Sequence, residues 1–166
     1  MRQVTFQQEP VTLLGTEIKV GDQAPNFTVL TNDLKEVTLH DYKDKVKLIS
    51  VVPSIDTGVC SQQTKRFNEE AEAMEDVQIL TISMDLPFAQ VRWMNEHNVK
   101  NLEALSDHRD ADFARKYGVL IEELRLLSRS IFVIDKNDQV TYVEYVREVT
   151  NHPDYNRVLE HLNQLT

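Results

Sequence analysis

Cys60 is the only cysteine in the chain, and it follows Thr57 by three residues and Pro53 by seven. The segment Pro53-Ser54-Ile55-Asp56-Thr57-Gly58-Val59-Cys60 leaves an apolar run and enters residues with helical spacing. That puts the sulfur in the first turn of a helix, at the carboxyl edge of a sheet. Unpaired backbone N–H groups and the positive end of the helix dipole both favour a thiolate there. The thiolate is the form of cysteine that attacks other atoms. Thr57 can turn its hydroxyl toward the sulfur or cap the helix. A lone cysteine also serves as a small buried hydrophobe, so position by itself leaves both readings open. Arg129, just before another apolar run, has two ordinary roles as well: a snorkelling surface residue or an ion pair with a carboxylate.

The elements that would hold these residues follow from periodicity. Val46–Val52 is nearly continuous in apolar, β-branched residues and reads as a central strand buried on both faces, hence parallel. Thr64, Phe67, Ala71 and Met74 recur at helical spacing and predict a helix over about 58–74. Val77–Ser83 is a second buried strand, which completes a right-handed βαβ unit. Pro87 opens a helix to about His97. A third helix over 110–117 stops at Gly118, a natural left-handed terminator. Ile131–Asp135 and Val140–Tyr145 flank a polar turn and predict a hairpin. Tyr155, Val158, Leu159 and Leu162 share one face of a last helix. Ahead of the βαβ unit, Val4–Gln7 with Val11–Leu14, and Phe27–Leu30 with Val37–Leu39, read as short strand pairs. The expected fold class is α/β, a thioredoxin-like plan with an N-terminal β-hairpin extension, a central mixed sheet flanked by helices, and one domain over 1–166.

The Pro53–Cys60 segment resembles the peroxidatic signature of peroxiredoxins, Pro-x-x-x-Thr-x-x-Cys. With Ser83-Met84-Asp85-Leu86-Pro87-Phe88-Ala89-Gln90 and Arg129-Ser130-Ile131-Phe132-Val133-Ile134-Asp135, it looks like the bacterial thiol peroxidase branch, from about Val4 to Leu165. The three motifs fall in the family's order and spacing. The resemblance implies a thiol-dependent peroxidase that reduces hydrogen peroxide and organic hydroperoxides, with Cys60 as nucleophile passing through a sulfenic acid. It implies that Thr57 hydrogen-bonds the thiolate and the peroxide, and that Pro53 shields the centre from water. Arg129 would hold the thiolate and stabilise charge developing across the O–O bond. Met84, Leu86 and Phe88 are expected as an apolar rim for alkyl hydroperoxides, core packing being their other reading. No metal, haem or flavin is implied. The family's electron donor is thioredoxin, and its members form homodimers.

One departure stands out. The branch usually carries a second, resolving cysteine after the segment matching Leu86–Trp93, and here the next residue is Met94. A thioether cannot condense with a sulfenic acid to a disulfide, so the usual intramolecular cycle cannot run. Three explanations stay open: a one-cysteine member resolved by an external thiol, an engineered or divergent copy trapped before resolution, or a Cys60–Cys60 cross-link between subunits. A redox sensor with little turnover is the rival function. A dead scaffold is a blander one, although a scaffold has no physical need of Thr57 and Arg129 beside Cys60.

Other chemistry finds little support in the sequence. With 27 acidic against 18 basic residues the chain carries −9, and it lacks the positive stripe that nucleic acid or an anionic membrane requires. The longest uncharged stretch, Gln23–Asn32, is far short of the roughly 20 apolar residues that span a bilayer. The polar, alternating Met1–Gln7 does not read as a signal peptide. One cysteine excludes an intramolecular disulfide and a Cys-rich metal cluster; the expected location is the cytoplasm. The five histidines are scattered, without ligand spacing on one helix face. No Gly-rich phosphate loop or Gly-x-Ser-x-Gly elbow occurs.

Overall fold

The apolar run of residue 46 onward forms β5 (Val46–Val51), buried at every position. A computed structural model describes residues 2–165; Met1 and Thr166 lie outside the described residues. Around β5 a seven-stranded sheet runs in the order β11 (Val140–Tyr145), β10 (Ser130–Ile134), β5, β6 (Val77–Ser83), β7 (Glu103–Ser106), β3 (Thr28–Leu30), β4 (Glu36–Thr38). β5 is parallel to β6, with Leu48 opposite Ile79, and antiparallel to β10, with Leu48 opposite Val133. The expectation of a parallel strand therefore holds on one side only. Burial on both faces requires layers above and below the sheet, and does not fix the direction of each neighbour.

Alternation along the strands sorts the core into two layers. Val46, Leu48, Ile79, Ile131 and Val133 share an apolar cluster with Phe67 of α1 (Gly58–Ala71), Trp93 of α2 (Pro87–Glu96) and Val158 of α4 (Tyr155–Leu165). Ile49, Val51, Leu80, Phe132 and Ile134 face the other way, toward Phe113 of α3 (Asp112–Lys116), Tyr117 and Phe27. Ser50 has the parity of Leu48, so it faces α1. Carrying the alternation of β10 backward gives Arg129 the parity of Ile131, again toward α1.

A second, four-stranded sheet holds β1 (Arg2–Phe6) and β2 (Glu9–Leu14), followed by β8 (Leu120–Ile121) and β9 (Leu126–Leu127). The hairpin of β1 and β2 is in register, Val4 opposite Val11, and turns at Gln7 and Gln8, both at positive φ. α1 ends at Ala71 rather than at residue 74: Glu69, Glu70, Glu72, Glu75 and Asp76 crowd its carboxyl end, where a basic residue would suit the dipole. α3 is shorter than 110–117, because Ala111 sits in the left-handed region at φ 51° just before it. Leu39, expected to end a strand, instead begins a 3₁₀ turn, Leu39–Tyr42. Among the described residues no helix is long and apolar enough to cross a membrane.

Candidate active site

The loop from β5 to α1 is built before the helix begins. Pro53 is buried, and the Asp85 carboxylate beyond β6 grips the next two residues. It accepts from Ser54 Oγ at 2.8 Å, from the Ile55 amide at 2.7 Å and from Ser83 Oγ at 2.7 Å. Thr57 then takes the N-cap position with extended φ and ψ of −86° and 155°. Its hydroxyl does not cap the helix; it donates to the Ser54 carbonyl at 3.3 Å. Thr57 is exposed, whereas Cys60, the third residue of α1, has no accessible surface.

Arg129 reaches that sulfur from the segment between β9 and β10. It is 2% exposed, and each guanidinium nitrogen has its own acceptor. Nη2 donates to Cys60 Sγ at 3.2 Å, Nη1 to Gln63 Oε1 at 2.8 Å and Nε to the Val149 carbonyl at 2.7 Å. Gln63 is itself buried and donates through Nε2 to Ser50 Oγ at 2.7 Å, which keeps its oxygen turned to the arginine. A buried cation is costly unless it is paired and hydrogen-bonded. Of these three acceptors only the sulfur can carry a full negative charge.

A cleft of about 290 Å³ opens over this group, lined by Phe6, Gln7, Pro53, Thr57, Gly58, Val59, Arg129, Val149 and Thr150. Its walls are mainly apolar, with Arg129 at one side. So Pro53, Thr57, Cys60 and Arg129 are brought together. Met84, Leu86 and Phe88 are not on this cleft. Met84 packs partly buried against the core, while Leu86 and Phe88 are exposed at the start of α2. The rim comes instead from Phe6, Val59 and Val149. Met94 lies on α2, packed against the apolar cluster under α1, with Asn32 Nδ2 3.8 Å from its sulfur. It lines a different cleft of about 540 Å³ with Asn32, Val37 and Glu103.

Sequence reasoning missed Gln63, Asp85 and the Val149 carbonyl. Gln63 was within reach, since three residues after Cys60 is the same helix face. A backbone carbonyl leaves no such signal.

Residues 19–159 match the Redoxin family. A thiol peroxidase of Oceanobacillus iheyensis is 68% identical over 164 residues, which is 99% of this chain and 100% of that protein. The chain belongs to the thiol peroxidase branch of the peroxiredoxins. A thiol peroxidase of Bacillus subtilis shares 59% identity over 160 residues, 96% of each chain. Among solved structures, a peroxiredoxin-like protein from Aquifex aeolicus is 45% identical at a TM-score of 0.94, covering 100% of this chain and 98% of that one. The thiol peroxidase from Chromobacterium violaceum, 23% identical, shares the fold at a TM-score of 0.89, over 98% of this chain and 95% of that one. The peroxiredoxin likeness read from three motifs thus extends along the whole thiol peroxidase chain, N-terminal hairpin included.

Proposed function

We propose that Cys60, as the thiolate, is the atom with which this thiol-dependent peroxidase attacks its hydroperoxide. A hydroperoxide is the substrate and a thiol supplies the electrons, as the family relationship implies. The sulfur attacks the terminal oxygen and the O–O bond breaks. The other oxygen, which carries the alkyl group or hydrogen, leaves as alkoxide or hydroxide and takes up a proton, so Cys60 ends as a sulfenic acid and the peroxide as an alcohol or water. Arg129 binds the thiolate through Nη2 and faces charge as it moves onto the leaving oxygen. The Thr57 hydroxyl, which donates to the Ser54 carbonyl at 3.3 Å, exchanges that bond for one to the bound peroxide. Pro53 keeps water from the back of the sulfur.

The observation that carries this reading is the 3.2 Å contact of Arg129 Nη2 with the buried Cys60 Sγ, Arg129 itself lining an apolar cleft together with Thr57 and Val59. With Met94 at the position where the branch usually holds its resolving cysteine, an external thiol attacks the sulfenate, and thioredoxin is the family's candidate. A homodimer in the cytoplasm is the corresponding setting. Intact mass after one equivalent of hydroperoxide tests the assignment. One added oxygen on Cys60, removed by a thiol and absent in Cys60→Ser, supports it; full turnover by Cys60→Ser overturns it.

A further inference from the structure

Glu148 stands outside the reacting group yet ties together two segments that line its cleft. One is Phe6 and Gln7, at the tip of the β1–β2 hairpin; the other is Val149 and Thr150, beyond β11. The Glu148 carboxylate lies between them and collects five donors. Oε1 accepts from Thr5 Oγ1 at 2.8 Å and the Gln8 amide at 2.7 Å. Oε2 accepts from the Gln7 amide at 3.2 Å, the Thr150 amide at 2.8 Å and Thr150 Oγ1 at 2.5 Å.

The hairpin tip needs such a partner. Gln7 and Gln8 have φ of 53° and 70°, two consecutive non-glycine residues in the left-handed region. That conformation persists only where the surroundings hold it. Both of their amides point at Glu148. Burial pushes the Glu148 carboxyl upward, but the bonds from Thr150, Gln8 and Thr5 outweigh it and hold the group at about 2. It therefore accepts as a full carboxylate at neutral pH.

We propose that Glu148 is a positioning residue that sets peroxide preference, by clamping the Gln7–Gln8 turn onto the Val149–Thr150 segment and so fixing the apolar mouth above Cys60. The inference rests on Cys60 being the reacting atom. Arg129 does not depend on the clamp alone, because Val149 also donates to the Thr5 carbonyl at 2.8 Å and Val146 to the Arg129 carbonyl at 3.1 Å. The bulky part of an organic hydroperoxide must pack between Phe6 and Val149, whereas hydrogen peroxide reaches the sulfur without them. A loosened mouth has to be ordered at each encounter, and only the bulky substrate bears that cost.

The test compares single-turnover oxidation of Cys60 by cumene hydroperoxide and by hydrogen peroxide, with alkylation quench and mass spectrometry. Glu148→Gln keeps the shape but turns one acceptor into a donor facing N–H and O–H groups. The ratio of the two rate constants, bulky over small, should fall about tenfold, the scale of one charge-assisted hydrogen bond. A general loss of folded protein scales both rates alike and leaves the ratio unmoved. An unchanged or increased ratio overturns the proposal. If Glu148→Gln does not fold, Thr5→Val removes one bond from the hairpin side and should lower the ratio about threefold; no change there overturns it equally. Wild-type protein separates the two claims. If its Cys60 is not oxidised by either peroxide, the reading of the site fails; if Cys60 reacts and the ratio ignores residue 148, only the clamp fails.

Discussion

Arg129 and Cys60 are 69 residues apart in the chain and 3.2 Å apart in space. The contact exists because three acceptors on two segments share one guanidinium: Cys60 and Gln63 on successive turns of α1, and Val149 beyond β11. A planar fork serves all three at once; a single ammonium cannot.

Arg129→Lys should therefore be far from conservative. It keeps the charge but leaves at least one buried acceptor without its donor. Cys60 oxidation in single turnover should slow by about tenfold or more, one positioned donor to a charged group being worth about 1.5–3 kcal/mol. A rate equal to wild type would remove Arg129 from the reaction.

The loop that carries Thr57 hangs on Asp85. Asp85→Asn retains one acceptor oxygen and turns an amide toward Ser54, Ile55 or Ser83, all of which donate to the native carboxylate. Urea unfolding should show a loss of about 1–3 kcal/mol, the cost of a buried donor left unpaired. Cys60 oxidation should slow as well, since Ser54 sets the position of the Thr57 hydroxyl. A variant with unchanged urea midpoint and rate would show that the loop is held without it.

Legibility in the sequence followed the length scale of the signal. The run of residue 46 onward, the βαβ unit and the Pro53–Cys60 corner were readable, because burial periodicity and helix-start chemistry act over neighbouring residues. β7 escaped: Glu-Ala-Leu-Ser is four residues without a β-branched side chain, and it becomes a strand through pairing with β6 on one side and β3 on the other. β8 and β9, two residues each, exist only in the context of β2. The partners of Arg129 were half readable. Gln63 follows from helical spacing, whereas the Val149 carbonyl depends on how β1 and the residues after β11 meet. The misplaced rim has the same origin. Met84, Leu86 and Phe88 are near Cys60 in motif order, but the hairpin far upstream brings Phe6 to the cleft instead.

Asp107 predicts a pH dependence of stability. It is 2% exposed and accepts from the Phe113 and Ala114 amides at 3.1 and 2.9 Å. Burial outweighs those bonds and pushes its carboxyl up from 3.8 to about 6. The folded state thus holds a proton that the unfolded chain releases earlier. Its stabilising contribution is complete below about pH 4 and is lost as pH rises through about 6. The difference is roughly 3 kcal/mol at 1.36 kcal/mol per unit. Urea midpoints of wild type and Asp107→Asn at pH 4 and pH 7 should show the wild type losing more across that interval. Parallel slopes for the two proteins would rule the group out.

With Cys60 as the reacting thiol, Met94 should decide its fate after the first oxidation. Wild-type Cys60 sulfenate has no second thiol in its own chain to intercept it, so excess peroxide should drive it on to sulfinic and sulfonic acids. Met94→Cys offers that thiol. In the folded protein Cys60 is fully buried against Arg129, whereas Met94 lines a cleft beside Asn32 that none of the Cys60-side residues Thr57, Val59 or Arg129 shares. Bonded cysteines need Cα atoms roughly 4.4–6.8 Å apart, so the start of α1 and the end of α2 must both open. One tie between them is the exposed Arg92–Asp56 pair at 3.4 Å, and exposed pairs of this kind hold weakly, about 0–1 kcal/mol. Burial of Cys60, with its 3.2 Å Arg129 contact, is the stronger restraint, and oxidation of the sulfur should weaken that contact. Non-reducing mass spectrometry of Met94→Cys after one equivalent of peroxide should therefore show the loss of two hydrogens, and turnover with thioredoxin should rise above wild type. If Cys60 still overoxidises while the introduced thiol stays free, the two helices do not open in this chain. Its sulfenate must then be reduced where it forms, by a thiol small enough to enter the cleft.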